Sequence, residues 1–299
     1  MDTSCEMVTT VTDSLAGRIC PLCGKVCFES AWALDTVEVR RCEQCGFAFA
    51  SRGDGAECEA GYYQSMGGYE QFVEVKKAVW RELLHDLGTR TAGRRLLEVG
   101  CARGYALALA REYGWLPHGV EVSREDAAFA QLRFGLSIHH GTVESCTLAK
   151  ESFDVVLMWS VIEHIPDPIS ALRACRRLLK PGGLLSIHTC NAASKAAAAM
   201  GRKWSMYHLP GHVSFFSTGT IRQALSKAGF SVERLETGLG GTPVDVNPAA
   251  RSQLTPRRAV AYVASALGLK DTLREMICLM QPKLREQGEF ISVLARRDS

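Results

Sequence analysis

Short apolar runs alternate with amphipathic segments between residues 95 and 189. Five runs have the length and composition of buried strands: Arg95–Val99, Pro117–Val122, Leu136–His139, Phe153–Met158 and Leu184–Thr189. Three segments between them predict helices: Tyr105–Tyr113, Arg124–Phe134 and Pro168–Leu179, the last ending before Lys180-Pro181-Gly182-Gly183. Repeated strand–helix alternation predicts an α/β fold in which a parallel sheet carries helices on both faces.

The pattern differs at both ends of the chain. Residues 1–18 are rich in Thr and Ser, and we expect a flexible N-terminus. Residues 19–60 predict a small separate module, with short strands at 37–40 and 47–49. Residues 61–299 predict one larger domain. It begins with a helix over 69–87 and ends with strands at 230–236 and 290–295, on either side of a helical insert over about 245–286.

Four cysteines in the small module form two Cys-x-x-Cys-Gly pairs, Cys20 with Cys23 and Cys42 with Cys45. The 18 residues between Cys23 and Cys42 lie in the range of roughly 15–20 that lets two knuckles close on one metal. Four thiolates close a tetrahedral zinc site without an open position. The spacing therefore predicts a structural zinc ribbon, with four ordinary thiols as the alternative.

Composition restricts the cellular setting and the partner. Of the 299 residues, 12 are Cys, and the N-terminus has an early acid and no apolar core, so we expect a reducing, cytoplasmic location. No run approaches the ~18 apolar residues of a membrane span. A net charge of +3 argues against a nucleic-acid partner, although a local basic patch could be hidden within it.

A glycine-containing turn follows the first predicted strand of the larger domain. In Glu98-x-Gly100-x-Ala102-x-Gly104 the chain must turn tightly, and its backbone can approach a nucleotide without a Cβ in the way. Glu121 ends the next strand, where a carboxylate can accept hydrogen bonds from ribose hydroxyls. The dinucleotide pattern G-x-G-x-x-G and the P-loop lysine are both absent, which disfavours NAD, flavin and nucleoside triphosphates.

The run from Leu96 to Phe230 resembles the class I S-adenosylmethionine (SAM)-dependent methyltransferases. The matching segments are Leu97-Glu98-Val99-Gly100, Gly119-Val120-Glu121-Val122-Ser123, Phe153-Asp154-Val155-Val156, Val161-Ile162-Glu163-His164-Ile165 and Leu178-Leu179-Lys180-Pro181-Gly182-Gly183. Glu-His-Ile-x-Asp-Pro is similar to the branch with ubiquinone O-methyltransferases and natural-product methyltransferases, a subset of which carries an N-terminal zinc module.

The resemblance implies a doubly wound, Rossmann-like sheet of seven strands with the last strand antiparallel. It also implies that SAM binds at Glu98, Gly100, Cys101, Ala102, Gly104, Glu121, Val122, Thr142, Val143, Trp159 and Ser160. One departure is Ala102, where the family usually has glycine. We expect SAM binding to survive that methyl group.

Methyl transfer to a hydroxyl needs a base, and histidine is the usual one near neutral pH. We rank His212 first, then His164, then His208. His164 follows the fourth strand of the parallel sheet, and the other two lie in the loop after the fifth. Packing is the alternative role for each of them. Glu163 could orient His164 or contact the substrate.

Three functions remain open. The first is a small-molecule methyltransferase in natural-product or sugar biosynthesis, with oxygen favoured over nitrogen or carbon as acceptor. The second is an RNA base methyltransferase with a zinc module. The third is a non-catalytic SAM-fold subunit. The oligomeric state is open, and a dimer is one alternative.

Overall fold

In a computed structural model, residues 19–26, 28–33, 38–50, 69–209, 211–238 and 288–298 are described. The predicted flexible N-terminus and the helical insert over about 245–286 lie outside these ranges. No helix among the described residues is long and apolar enough to cross a membrane.

Strands and helices alternate through the larger domain as the hydrophobic pattern predicts. The strands are β4 (Arg95–Val99), β5 (Leu116–Glu121), β6 (Ser137–His140), β7 (Phe153–Trp159), β8 (Leu179–Cys190), β10 (Phe230–Gly238) and β11 (Phe290–Arg297). The helices are α1 (Tyr69–Arg90), α2 (Tyr105–Glu112), α3 (Arg124–Phe134), α4 (Pro168–Leu178), α5 (Lys195–Met200) and α6 (Thr218–Lys227). Short 3₁₀ segments cover Ile162–His164, Gly201–Lys203 and Ser205–Tyr207.

These seven strands form one sheet in the order β10-β11-β8-β7-β4-β5-β6. The pairs among β4, β5, β6, β7 and β8 are parallel, and β11 is antiparallel to both of its neighbours. The predicted doubly wound sheet with an antiparallel last strand is confirmed. Because parallel strands end at a common edge, the loops after β4, β5, β7 and β8 meet at one side of the sheet.

Side chains alternate across the sheet and build a core on each face. Leu96, Val155 and Leu184 pack with α1, α2 and α3 on one face. Their chain neighbours Leu97, Val156 and Leu185 pack with α4 and α6 on the other. Strands buried on both sides therefore read as continuous apolar runs.

One turn differs from the prediction. Helix α4 ends before Lys180-Pro181-Gly182-Gly183 as expected, but these residues form a bulge inside β8 instead of a loop before it. The pairing register with β7 shifts there, from Phe153 opposite Leu179 to Val155 opposite Leu184. A bulge accommodates a proline that cannot donate to the ladder.

The N-terminal module has its own sheet. Strands β1 (Phe28–Ala33), β2 (Glu38–Cys42) and β3 (Ala48–Ala50) pair antiparallel. A fourth strand, β9 (Ser214–Phe215), comes from the larger domain and pairs with β3. Phe47 packs on Phe216 with ring centroids 4.9 Å apart. The module is therefore joined to the larger domain at the loop that follows β8.

Candidate active site and metal centre

The loop after β4 holds the nucleotide-type turn at the common edge of the sheet. Gly100 and Gly104 have φ of 68° and 74°, in the left-handed region that favours glycine. A Cβ on Gly100 would lie 2.5 Å from Val161 Cγ2, and one on Gly104 would lie 2.7 Å from Leu136 Cδ1. Close packing inside the protein therefore demands these glycines, in addition to any need for ligand approach.

Ala102 has φ of 45°, which is uncommon for a residue with a Cβ. Its backbone N–H donates to Glu121 Oε2 at 2.7 Å, which ties the loop to the end of β5. The departure from glycine therefore places an alanine in a left-handed conformation. Such a conformation costs roughly 1–2 kcal/mol in a non-glycine residue.

Glu121 is buried at the end of β5 and accepts two backbone hydrogen bonds. Besides Ala102, the N–H of Ser123 donates to Glu121 Oε1 at 2.9 Å. A carboxylate has about four acceptor positions, so two remain for a ligand's hydroxyl groups. Burial raises the pKa of Glu121, although the hydrogen bonds from Ser123 and Ala102 oppose the shift.

Glu98 is the second buried acid in this region. Its Oε2 is buried and has no hydrogen-bond partner among the described residues. Burial and, to a lesser degree, the charge of Glu121 raise the pKa of Glu98 to about 8. An orphaned buried oxygen beside a tight turn fits a ligand that supplies a donor or a positive charge.

The remaining predicted cofactor residues lie around this turn. Cys101 is buried behind it, and its N–H approaches the Val120 carbonyl oxygen at 3.3 Å. Gly141 donates to the Glu121 carbonyl at 2.8 Å, which brings the exposed Thr142 and the buried Val143 to the same edge. The carbonyl of Val122 hydrogen-bonds His140 Nε2 at 3.1 Å. These residues lie at one edge of the sheet, and their contacts with SAM remain predictions.

Trp159 is the last residue of β7, and Ser160 follows it at the same edge. The indole Nε1 of Trp159 is buried without a partner among the described residues. Ser160 has φ of 55°, and its N–H donates to the His188 carbonyl at 2.8 Å. The Trp159 ring lies edge-on to Trp80 at 6.4 Å, and Lys76 Nζ is 5.7 Å from its centroid. Helix α1 thus lies over this part of the edge.

Two of the three predicted catalytic histidines come together. The rings of His164 and His212 lie perpendicular, with centroids 4.7 Å apart. Three polar atoms converge here, one carboxylate oxygen or imidazole nitrogen from each of Glu163, His164 and His212. These atoms lie within 4.8 Å of one another. Glu163 is buried, and its Oε2 accepts a hydrogen bond from Thr189 Oγ1 at 2.8 Å. Residues about 50 positions apart therefore form one polar cluster.

Hydrogen bonding assigns the imidazole tautomers in this cluster. His164 Nδ1 lies 3.1 Å from the Gly211 carbonyl oxygen. Since a carbonyl only accepts, Nδ1 carries a proton, and in the neutral tautomer the lone pair is on Nε2. His212 Nδ1 is buried without a partner among the described residues. Burial, with a smaller contribution from His164, lowers the pKa of His212 to about 3, so this ring is neutral at pH 7.

His208 lies apart from the cluster. It is exposed, and its Nε2 hydrogen-bonds the Arg202 carbonyl at 2.9 Å. Sequence reasoning missed His188 instead. Its ring stacks on Phe290 with centroids 5.2 Å apart and meets Trp159 edge-on at 5.3 Å. The position of His188 near the end of β8 could have marked it as a candidate, because ligand sites in α/β proteins lie at the carboxyl ends of the parallel strands.

The four cysteines of the N-terminal module converge. Cys20 Sγ is 3.6 Å from Cys45 Sγ, Cys23 Sγ is 3.5 Å from Cys42 Sγ, and all four sulfurs lie within 4.8 Å of one another. A tetrahedron with Zn–S bonds of about 2.3 Å has sulfur–sulfur edges of about 3.8 Å. The donor set and its size fit zinc.

The two knuckles have the same backbone geometry. Gly24 N–H donates to the Cys20 carbonyl at 2.8 Å, and Gly46 N–H donates to the Cys42 carbonyl at 2.7 Å. Both glycines have φ of 74°. Burial raises the pKa of Cys45 to about 11, which is expected for a buried thiol without a neighbouring cation.

Comparison with solved structures shows the fold class. A SAM-dependent methyltransferase from Archaeoglobus fulgidus matches with a TM-score of 0.54 at 19% identity, over 79% of this chain and 100% of that one. A second from Thermotoga maritima, described as a possible histamine N-methyltransferase, matches with a TM-score of 0.51 at 21% identity, over 79% and 98%. At such identities the likeness establishes the fold alone.

The family follows from sequence comparison. A model described as a methyltransferase domain matches residues 70–235, more than half of the chain. The chain therefore belongs to this methyltransferase family, with the class I SAM-dependent fold. The ubiquinone biosynthesis O-methyltransferase of Cereibacter sphaeroides is 39% identical over 125 residues, 40% of this chain and 51% of the relative. The chain thus spans about half the length of the curated relatives it matches, and the predicted resemblance is confirmed.

Proposed function

We propose that the protein transfers a methyl group from SAM to a hydroxyl group of a small molecule in a biosynthetic pathway. The observation that carries this proposal is the cluster of His212, His164 and Glu163, with an unpartnered buried His212 Nδ1. A neutral imidazole with a free lone pair can accept a hydroxyl proton, and the neighbouring carboxyl group of Glu163 would offset the low pKa of His212 by stabilising the imidazolium. The relatives named as O-methyltransferases support oxygen as the acceptor atom.

The residues of the cofactor end fit SAM. Glu121 has acceptor positions left for both ribose hydroxyls, and the orphaned Oε2 of Glu98 suits a cationic or donating group. Thr142 and Val143 suit the adenine side, and Trp159 and Ser160 the methionine side. A positive charge near Glu98 would bring its raised pKa back toward the ordinary carboxyl range.

The cofactor, when bound, supplies an electrophilic methyl group on a sulfonium sulfur. The chain must then hold an acceptor oxygen about 3–3.5 Å from that methyl carbon and take up its proton. His212 Nδ1, which is buried without a partner among the described residues, accepts the proton, and His164 of the same cluster is the alternative acceptor. Glu163, held by Thr189, stabilises the positive charge on the imidazole that forms.

We also propose that Cys20, Cys23, Cys42 and Cys45 hold one structural zinc ion. With four thiolates the ion has no open position, so it serves folding and not chemistry. Zinc stabilises the thiolate forms, against the effect of burial on Cys45. The expected content is about one zinc per chain.

The proposed function is tested with the purified full chain. Calorimetry measures SAM binding, and mass spectrometry follows S-adenosylhomocysteine formation over a panel of catechols, phenols and sugars. Methylation of at least one hydroxyl acceptor is the expected result. SAM binding without turnover on any acceptor would favour a non-catalytic subunit. Methylation of RNA alone would favour the base-methyltransferase alternative.

A further inference from the structure

A cleft of about 480 Å³ lies at the edge of the sheet opposite the candidate active site. Its walls are the end of α4, the turn between α6 and β10, the residues before β7 and the end of β11. Because β11 runs antiparallel to β8, its last residues lie where the parallel strands begin. The cleft is therefore separate from the cofactor and acceptor ends.

The lining is strongly basic. Its cations are Lys150, Arg173, Arg176, Arg177, Lys227 and Arg297, and Glu151 is the single acid among its described lining residues. Glu151 Oε1 accepts a hydrogen bond from Arg297 Nη2 at 2.7 Å. The excess positive charge of this one cleft exceeds the net +3 of the whole chain. Such a concentration of one sign in a concave surface attracts anions.

Helix ends explain part of this charge. Arg176 and Arg177 lie in the last turn of α4, where cations are favourable. Arg176 Nε donates to the Gly229 carbonyl at 3.1 Å, and Lys227 Nζ donates to the Leu22 carbonyl of the zinc module at 3.0 Å. These bonds hold the cations in place. They do not neutralise them, since the acceptors are uncharged.

Three features have no structural explanation. Lys150 and Arg173 are exposed and make no hydrogen bond or ion pair with any described residue. Arg173 also lies before the last turn of α4, so it does not serve the helix end. Arg297 Nε is buried without a partner among the described residues, and its side chain is 10% exposed. An anion in the cleft would pair with the exposed Lys150 and Arg173, and Arg297 belongs to the same lining.

We propose that this basic cleft binds a compact phosphate-bearing ligand of about diphosphate size. Its volume lies in the range of small-molecule sites, roughly 300–1,000 Å³. Four of its six cations are arginines, whose planar forks match phosphate oxygens. Its described lining residues include no aromatic ring, so they offer no platform for stacking bases and disfavour single-stranded nucleic acid. This proposal does not depend on the proposed methyl transfer.

Calorimetric titration of the full chain with pyrophosphate at low ionic strength tests the proposal. We expect one saturable site whose affinity falls as salt is added. Joint Lys150→Ala and Arg173→Ala substitution should weaken binding by about tenfold or more, as for the loss of charge-assisted hydrogen bonds. The matched control is Arg81→Ala with Arg222→Ala, which removes the same charge from exposed positions outside the cleft. It should leave pyrophosphate affinity within about twofold, and SAM affinity should be unchanged in both variants.

A measurement on the unaltered protein guards against misfolding of the variants. Acylation of exposed lysines, followed by mass spectrometry, should show Lys150 protected by pyrophosphate and Lys195, exposed elsewhere, not protected. Equal losses in the two double variants would overturn the proposal, as would no pyrophosphate binding by the unaltered protein. Citrate binding as tightly as pyrophosphate would overturn the phosphate assignment. Single-stranded RNA binding in the absence of pyrophosphate binding would make the cleft a nucleic-acid surface instead.

Discussion

The cofactor end of the site is built from neighbouring strand–loop–helix units, whereas the acceptor end is assembled from segments far apart in the chain. Glu98, Ala102 and Glu121 lie within 24 residues of one another. The backbone N–H of Ala102 donates a hydrogen bond to Glu121. The proposed acceptor end consists of Glu163 and His164, which follow β7, and His212, which lies in the loop after β8. Consecutive β-α-β units place ligands at the strand ends by local geometry alone, but the acceptor end needs outside support.

That support comes from the N-terminal module. Strand β3 pairs with β9, and Ala50 N–H donates to the Val213 carbonyl at 2.9 Å, one residue after His212. Val39 and Ala48 of the module pack with Trp204, Tyr207 and Phe215 of the loop. On the other side, Val213 N–H donates to the Glu163 carbonyl at 2.9 Å. His212 is therefore held between the module and the residues after β7.

The largest effect is expected at the acceptor end itself. His212→Ala should lower turnover by about 10²–10⁴-fold, the range for losing general-base catalysis. SAM affinity should barely change, because the ring belongs to the cluster with Glu163 and His164. The control is His208→Ala, whose ring is exposed and bonds only the Arg202 carbonyl among the described residues. Turnover with the true acceptor and calorimetry with SAM measure both.

Full activity of the His212→Ala variant would show that His212 is not the general base, and His164 would then be the candidate. Full activity of single variants at all three histidines would indicate an acceptor that needs no base, such as a thiolate. With either result, the contact between the N-terminal module and the loop after β8 would no longer be explained by a need to position His212 as the base.

Zinc removal should lower turnover, which depends on the acceptor end, much more than SAM affinity, which depends on the cofactor end. Cys20→Ser with Cys42→Ser should abolish zinc binding and release β9, which lowers turnover by up to about 10²-fold, the effect of a misplacement of roughly 1 Å. SAM affinity should stay within about threefold, because the predicted cofactor residues lie on or directly after β4, β5, β6 and β7, whereas the module pairs with β9. Elemental analysis, turnover and calorimetry measure these outcomes.

The matched control for zinc removal is Cys146→Ser, a buried thiol outside the module whose Sγ donates to the Val143 carbonyl at 3.2 Å. A hydroxyl can keep that bond, so zinc content and turnover should persist. Retained zinc in the double variant would contradict the metal site. An equal loss of SAM affinity would contradict the separation of the two ends.

A substitution at the cofactor end should instead weaken SAM binding. Glu121→Ala removes the acceptor for Ala102 and Ser123 and should weaken SAM binding by about 10–100-fold, as for hydrogen bonds to a charged group. Glu121→Gln keeps the shape and one acceptor, so its loss should be smaller. Calorimetry with SAM gives the affinities, and thermal melting should stay near that of the unaltered protein. Unchanged SAM affinity in the alanine variant would remove Glu121 from the site.

The smallest effect concerns strain in the cofactor loop. Ala102→Gly relieves a left-handed alanine at φ of 45°, while the added unfolded-state entropy offsets part of the gain. We expect the free energy of unfolding to rise by about 0.5–1 kcal/mol. Ala108→Gly, inside α2, should instead lower it by about 1 kcal/mol. Urea unfolding measures both, and a destabilised Ala102 variant would mean that the loop favours the methyl group.

The sequence by itself determined the fold class, the order of the strands and helices, and the residues of the cofactor turn. These depend on local periodicity, on glycine spacing and on short-range turns, all of which a linear pattern carries. The pairing of the two Cys-x-x-Cys units was equally readable, because a tetrahedral metal site restricts ligand spacing.

Only the tertiary structure decided how the acceptor end is put together. His212 contacts His164 across almost 50 residues, and the two-residue strand β9 completes a sheet whose other strands lie more than 160 residues earlier. Nor does the linear pattern reveal the basic cleft, since its cations come from four separate parts of the chain and are diluted in a net charge of +3. Contacts at such separations depend on how helices and sheets pack, which local propensity does not encode.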